Sequence, residues 1–218
     1  LAPHCKGAMK KELMENLKVR RFAYFKPEGL QKLCYGGGII SNLKNSFLAK
    51  IQMPFLILSE FLVSCFILRK EKINLIHAHW ILPQGFVAAF LKKSFKIPLL
   101  VSVHGSDLFP LKNRVFKKLQ YFVLKNSDYV TVNSEATKKE LISRFPDYAS
   151  KVEVIPMGVD VDIFKIRNVR KPKKYQKNKI LLFVGRLSDQ KGLQYLVESM
   201  PAIIKIEPKI KLLIIGEG

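Results

Sequence analysis

The chain has 218 residues, enough for one large domain or two smaller ones, and 48% of them are hydrophobic, which excludes a globally disordered protein. Its formal net charge of +21 favours anionic partners such as nucleic acid, an anionic membrane surface or phosphorylated substrates, without choosing among them. Its three cysteines are odd in number and widely spaced, which fits neither a disulfide framework nor a zinc site and indicates a reduced, cytoplasmic protein.

The first part of the chain, residues 1–72, has the least regular pattern. Residues 1–4 look like the end of a strand, residues 19–25 are compatible with another, and three glycines at 36–38 predict a loop. These features alone do not define a fold for this region.

An apolar run follows at residues 55–68. It contains about 14 residues, fewer than the roughly 20 that a transmembrane helix needs. Pro54 stands at its head and Glu60 lies within it. We therefore predict a buried helix, with a helix that dips into a membrane as the alternative.

From residue 73 onward, short apolar strands alternate with helices. The predicted strands are 73–79, 99–103, 129–132 and 152–155, and the predicted helices are 86–96, 113–125 and a helix between Ser134 and Pro146. This alternation is typical of an α/β fold with a Rossmann-like parallel sheet flanked by helices. In such sheets, ligands bind beyond the carboxyl ends of the strands.

The predicted helix at 113–125 is basic on one side and apolar on the other. It is compatible with a helix that rests on anionic lipid. We favour an ordinary surface helix whose apolar stripe packs into the core.

A second alternation begins after a basic run. Residues 165–179 are rich in lysine and arginine and contain no acid, which predicts an exposed linker. A strand at 180–184, a helix at 193–206 that Pro201 should kink or split, and a strand at 210–215 follow.

We therefore predict an N-terminal domain over residues 1–165, a basic linker over 166–179 and the beginning of a second domain over 180–218. The last strand runs into a glycine turn, and the first residues look like a strand end. We expect the chain to be a fragment of a longer protein.

Polar and glycine-containing motifs follow the predicted strands. They are His77 with His79 and Trp80, His104-Gly105, Asn133-Ser134, Gly158, and Gly185-Arg186. Because the carboxyl ends of parallel strands share one edge, this series predicts a cleft.

Single residues in this series allow more than one role. His104 can hydrogen-bond a substrate hydroxyl, although a strand-end histidine is usually structural. His77 and His79 point the same way on a strand, but without a third ligand they make a weak zinc site; His79 is also compatible with a position facing the cleft. Asp107 and Asp160 are candidates for polar contacts or for turn caps.

The loop between Gly185 and Gly192 carries two cations, Arg186 and Lys191. A strand, a glycine turn and a helix start bring free backbone N–H groups to one point, and the two cations make that point suited to a diphosphate. On spacing alone, an ordinary loop with two solvated cations is equally compatible.

Taken together, these motifs resemble the retaining glycosyltransferases of family four, which have the two-domain GT-B fold. The order and spacing of the motifs over roughly residues 73 to 218 carry the resemblance. The matching pieces are 76–80, His104-Gly105-Ser106-Asp107, 132–134, 154–160, Phe183-Val184-Gly185-Arg186-Leu187 with Lys191-Gly192, and 213–218.

The resemblance implies transfer of a sugar from a nucleotide-sugar donor to an acceptor, with retention of anomeric configuration and without a metal or other cofactor. It implies that Arg186 and Lys191 hold the donor diphosphate and that His104 lies beside the donor sugar, which makes these three the candidate catalytic residues. The candidate substrate-binding residues are His79, Gly105, Asp107, Gly158, Gly185, Gly216 and Glu217.

The resemblance is incomplete at both ends. The family's glycine-rich loop would lie before Leu1, and its pair of glutamates would lie after Gly218. We therefore expect the parent protein to be the enzyme and this fragment to be inactive alone.

The expected acceptor is a lipid-linked compound, a saccharide or a small molecule, in polysaccharide or glycolipid synthesis. The basic surface suggests a cytoplasmic protein, peripheral on the inner face of an anionic membrane. The alternative function is a basic nucleic-acid-binding module without activity. No groove-reading motif is present, so we expect no specific nucleic acid partner.

Overall fold

A computed structural model of the protein describes residues 1–36, 38–165 and 172–217. The strands are β1 (Ala2–Pro3), β2 (Lys11–Met14), β3 (Leu17–Phe22), β4 (Ile76–His79), β5 (Leu99–Val103), β6 (Tyr129–Val132), β7 (Val152–Val154), β8 (Lys179–Val184) and β9 (Ile210–Ile215). The helices are α1 (Ile39–Asn45), α2 (Phe47–Lys70), α3 (Gln84–Phe95), α4 (Arg114–Asn126), α5 (Glu135–Arg144) and α6 (Leu193–Ile206).

The central sheet consists of parallel strands in the order β4-β5-β6-β7, which confirms the predicted α/β class. Ala78, Val101 and Val130 are partners across the sheet and are buried in the main core. Because the strands run in one direction, their carboxyl ends lie at one edge. These ends are His79, Val103, Val132 and Val154.

Helices α4 and α5 begin at residues that cap them. The Asn113 side chain accepts a hydrogen bond from the Phe116 N–H, and Ser134 accepts one from the Thr137 N–H. In α4, Val123 and Leu124 are buried in the main core, so the apolar side faces inward. This confirms the favoured interpretation of α4 as a surface helix.

A second, smaller core lies beside the three-stranded sheet β1-β3-β2. It consists of Phe22, Tyr24, Leu33, Ile39, Ala49 and Leu56. Ala49 and Leu56 belong to α2, so the long helix is attached to the protein mainly through this small core and through its packing on α3.

The prediction of a buried helix at 55–68 is wrong. Helix α2 has 24 residues, includes Pro54 in its interior, and buries only Ala49, Gln52 and Leu56. Its apolar residues surround the helix, whereas the described part of the chain covers only one side of it. By length and composition alone, α2 is the one helix among the described residues that qualifies as a candidate membrane span.

The second unit consists of the parallel strands β8 and β9 connected by α6. Helix α6 continues through Pro201, so the predicted split does not occur. Residues 166–171 of the predicted basic linker lie outside the described residues, as do Gly37 and Gly218. The proposed domain limits stay a prediction.

Candidate active site

The carboxyl ends of the central strands surround a cavity of about 250 Å³. Its polar lining includes His77 and His79 on β4, Ser102 on β5 and Thr131 on β6. His104, which follows β5, and Asn133, which follows β6, complete the polar lining. Residues 155–158, which follow β7, complete the wall. The structure therefore has a cavity at the edge where the sequence predicted a cleft.

The histidine rings form a row in this cavity. Nδ1 of His79 lies 3.1 Å from Nε2 of His104, and the two rings are inclined by 24° with their centroids 5.3 Å apart. The His77 ring lies on β4 with its centroid 4.3 Å from that of His79, so the two side chains point the same way as predicted. Among the residues that the structure describes, no group of three potential ligands forms a metal site.

Burial lowers the pKa of His77 and of His79, and the neighbouring histidines lower the pKa of both further. A pKa below its ordinary value means that both imidazoles are neutral near pH 7. Each neutral ring has one donor and one acceptor nitrogen, so the row can exchange hydrogen bonds without charge repulsion.

A chain of hydrogen bonds extends from the histidine row across the sheet. Nε2 of His77 lies 2.8 Å from Oγ of Ser102, which lies 2.7 Å from Oγ1 of Thr131. Ser102 and Thr131 were not predicted as site residues, because they lie inside strands. The available signal was one serine or threonine within each of two otherwise hydrophobic strands.

Asp107 is buried beneath this cavity. Its Oδ2 accepts a hydrogen bond of 2.5 Å from the Ile81 N–H, and its Oδ1 accepts one of 2.9 Å from the His104 N–H. Burial raises its pKa, although these backbone donors oppose that effect. Asp107 therefore joins the segments that follow β4 and β5.

Gly105 is required by the turn that contains Asp107. Its φ is +81°, and a Cβ there would lie 3.3 Å from the Phe109 ring.

Asn133 contacts the main chain of His104 from the other side. Its Nδ2 donates to the His104 carbonyl at 3.4 Å, and its Oδ1 accepts from Thr137. The main chain around His104 is thus held from both sides.

The loops predicted to lie near the donor nucleotide follow β8 and β9. The Gly185 N–H donates to the Ile215 carbonyl at 3.0 Å, and the Leu187 N–H donates to the Glu217 carbonyl at 2.9 Å. A Cβ on Gly216 would overlap the Gly185 carbonyl, so only glycine fits there. The structure thus brings together Gly185, Gly216 and Glu217.

Arg186 and Lys191 are both exposed, and in the described ranges neither has an acidic partner. Lys191 ends a short 3₁₀ turn, and Gly192 follows it with a φ of +67°. Arg186 lies beside Gly38 of the first unit, with Nη1 3.9 Å from where a Cβ on that glycine would lie. Neither cation lines the histidine cavity.

Comparison with known families gives two adjoining matches. The sequence model described as Glycosyltransferase Family 4 matches residues 38–163, and that described as Glycosyl transferases group 1 matches residues 164–218. The first match alone spans more than half of the chain.

Similar sequences come from archaea and bacteria. The chain is 32% identical to the uncharacterized glycosyltransferase MJ1607 of Methanocaldococcus jannaschii over 70% of this chain and 42% of that protein. It is 31% identical to MJ1178 of the same organism over 94% of this chain and 54% of that protein. It is 26% identical to a D-inositol 3-phosphate glycosyltransferase of Corynebacterium glutamicum over 67% and 39%. The chain thus spans about half the length of these relatives.

A similar solved structure is Alr3699/HepE of Anabaena, described in complex with UDP and glucose. It aligns with a TM-score of 0.59 and 21% identity, over 72% of this chain and 43% of that chain. At this identity the likeness concerns the fold.

Proposed function

The chain belongs to glycosyltransferase family 4 and has the GT-B type of fold, and from this premise we propose that the whole protein transfers a sugar from a nucleotide-sugar donor to an acceptor with retention of anomeric configuration. The observation that carries the proposal is the position of Arg186 beside Gly38. Arg186, which has no acidic partner among the described residues, there faces the first unit, and that unit also contains the histidine cavity. The UDP and glucose named for the Anabaena structure support a donor of this class.

In the proposed reaction, the bond between the anomeric carbon and the diphosphate breaks, and a bond to the acceptor oxygen forms on the same face of the sugar. The departing diphosphate gains negative charge and takes the proton of the acceptor hydroxyl. Arg186 and Lys191 stabilise that charge, because cations placed where negative charge develops lower the energy of the transition state. Gly185, Gly216 and Glu217 shape the loop that receives the nucleotide.

His104 is proposed to contact a hydroxyl of the donor sugar. Its place at the carboxyl edge of a parallel sheet is where such folds bind ligands. His79 and Gly158 line the same cavity. Asp107 and Gly105 support the site through the main chain, because the Asp107 carboxylate already accepts two backbone hydrogen bonds.

We further propose that the acceptor belongs to polysaccharide or glycolipid synthesis and that the protein binds the cytoplasmic face of an anionic membrane through α2. The exposed apolar residues of α2 recur three or four positions apart and form one stripe. They are Phe47, Ile51, Phe55, Leu58, Leu62 and Phe66. A groove of about 430 Å³ between α2 and α3 runs beside this stripe and is lined by Ile57, Phe61, Phe86 and Phe90 among others.

Charge complementarity favours an anionic bilayer as the occupant of this surface. Exposed cations lie at the ends of α2 and α3, at Lys50, Arg69, Lys70, Lys93 and Lys96. Glu60, the one acid in α2, is half-buried on the opposite side, with its Oε2 enclosed within the protein. An apolar stripe flanked by cations is the pattern of helices that lie in the membrane interface.

The proposed transferase activity is tested by thermal unfolding of the full-length protein with a panel of nucleoside-diphosphate sugars. Because a ligand that binds only the folded state raises stability, we expect one donor to raise the Tm by about 5 °C or more at saturation. No response to any donor, together with tight and sequence-selective DNA binding, would support the nucleic-acid-binding alternative.

A further inference from the structure

We propose that His79 is a positioning residue, which holds the ring of His104 through Nε2 and thereby leaves Nδ1 of His104 as the nitrogen available to substrate. This inference rests on the proposed function, in which His104 contacts the donor sugar. It differs from the role of a direct substrate contact that the sequence suggested for His79.

The geometry of the contact supports this role. The 3.1 Å separation of His79 Nδ1 and His104 Nε2 is a hydrogen-bond distance, and the rings are inclined by only 24°. A strand-end imidazole with no such partner can rotate about its side-chain bonds. A hydrogen bond to one ring nitrogen removes that freedom and fixes which nitrogen carries the proton.

His79 is itself held firmly enough to act in this way. It lies on β4, where Ser102 is its partner on β5. The ring of His77, which is also on β4, packs against the His79 ring, and His77 is in turn hydrogen-bonded to Ser102. His79 thus contacts a histidine ring on either side, and its orientation is set by the register of the sheet.

The main chain of His104 is fixed independently. The buried Asp107 carboxylate accepts from its N–H, and Asn133 donates to its carbonyl. With the backbone held by Asp107 and one ring nitrogen held by His79, both the position and the rotamer of His104 are determined. A catalytic group must be held to within a fraction of an ångström to be effective.

The contact also links the proton positions of the two rings. If His79 donates from Nδ1, His104 accepts at Nε2 and its Nδ1 is a donor toward substrate; if the proton is on His104 Nε2, its Nδ1 is an acceptor. Only one proton fits between the two nitrogens. The burial that lowers the pKa of His79 favours this neutral, single-proton arrangement.

The first experiment is nitrogen NMR of the full-length protein labelled with ¹⁵N-histidine. The signals of the four histidines of this chain are assigned by substituting each of them in turn. We expect His104 in the unsubstituted protein to show one dominant tautomer. In His79→Phe, which keeps a ring but has no nitrogen, the His104 signals should move to the average of a tautomer mixture.

His79→Asn is the matched conservative variant, because its side-chain amide lies about where Nδ1 of histidine lies and can hydrogen-bond Nε2 of His104. It should restore the dominant tautomer. Unchanged His104 signals in His79→Phe, with the protein folded by circular dichroism, would overturn the proposal. This readout needs no substrate, so its failure is separate from failure of the proposed function.

The second experiment is a double-mutant cycle on turnover of the donor found by thermal shift. We expect His79→Phe to lower kcat about 10- to 100-fold with little change in KM. In a His104→Ala background the same substitution should have no further effect, because His79 acts only through His104. Additive losses would show that His79 contacts substrate directly. If His104→Ala alone were fully active, the proposed role of His104 would fail instead.

Discussion

Nη1 of Arg186 lies 3.9 Å from the position that a Cβ on Gly38 would occupy. Gly38 has a φ of +86° and immediately precedes α1, so its backbone conformation is one that other residues adopt only with strain. The guanidinium of one unit and a glycine of the other therefore face each other without a side chain between them. We interpret this space as part of the donor site.

A first prediction follows for Gly38→Leu. The added side chain would extend into the space beside the Arg186 guanidinium, so donor affinity should fall at least about tenfold in a calorimetric titration. The control is Gly7→Leu, because Gly7 has a φ of +87° with nothing within 4 Å. Both variants should lose a similar amount of stability from backbone strain, about 1–2 kcal/mol. Equal donor affinities in the two variants would contradict the interpretation.

Arg186→Ala should lower turnover about 10²–10³-fold, because it removes a cation from the departing diphosphate. Arg186 is exposed and has no acidic partner within the described parts of the chain, so the Tm should not change. Lys173→Ala is a control for net charge, because Lys173 is an exposed cation of the basic linker. A rate for Arg186→Ala equal to that of Lys173→Ala would remove Arg186 from the proposed role.

Leu62→Glu should weaken sedimentation of the full-length protein with vesicles of phosphatidylglycerol and phosphatidylcholine. The substitution places a carboxylate in the exposed stripe of α2, where an anionic bilayer repels it. Val115→Glu on α4 is a matched control, because Val115 is 65% exposed and Leu62 is 55% exposed.

We expect the Val115 variant to bind as the unsubstituted protein does. If Val115→Glu weakened vesicle binding and Leu62→Glu did not, the membrane surface would lie on α4, which is the alternative that the sequence raised for the basic helix. Binding unaffected by either variant, or absent from the unsubstituted protein, would indicate that another part of the protein or a second copy covers α2.

Glu60 predicts a pH-dependent stability. Burial raises its pKa from 4.5 to about 7, and its Oε2 has no hydrogen-bond partner among the described residues. A raised pKa in the folded state means that the stabilising effect of the bound proton is complete below pH 4.5 and is lost as the pH rises to about 7. The loss should be about 3 kcal/mol.

Glu60→Gln should abolish this dependence, because glutamine stays neutral at every pH. Denaturant unfolding at pH 5 and pH 8 measures the difference. We expect the variant to be more stable than the unsubstituted protein at pH 8 and similar to it at pH 5. A constant difference between the two proteins at both values would show that Glu60 does not titrate in this range.

Asp107→Ala should destabilise the protein by about 2–4 kcal/mol, because the Ile81 and His104 N–H groups would lose their acceptor in a buried position. Asp107→Asn keeps one acceptor oxygen and should cost less. Thermal unfolding measures both. Wild-type stability in Asp107→Ala, with reduced donor binding, would instead support the direct substrate contact that the sequence suggested.

Much of the fold was predicted from local patterns. The limits predicted for 99–103, 129–132 and 210–215 coincide with β5, β6 and β9, because short apolar runs ended by polar or glycine residues are a local signal. The positions of His79, His104 and Gly158 at one edge were also predictable, since parallel strands place their carboxyl ends together.

The environment of α2 was not predictable, because an apolar sequence of this kind is compatible with a helix in a protein core and with a helix in a bilayer. Pro54 was likewise taken as a start, although the helix extends to Phe47 before it. Which side of such a helix is covered depends on packing with distant segments.

The sequence by itself therefore determined the order of strands and helices, the family and the residues available at the strand ends, because these depend on neighbours along the chain. Only the tertiary structure decided that His79 is hydrogen-bonded to His104, that the Asp107 carboxylate accepts hydrogen bonds from two backbone segments and that Arg186 lies beside Gly38. His79 and His104 are 25 positions apart in the sequence, and Ile81 and Asp107 are 26 apart. Arg186 and Gly38 are farther apart still. Sheet register and the approach of the two units fix these relationships, and neither is encoded in any single stretch of sequence.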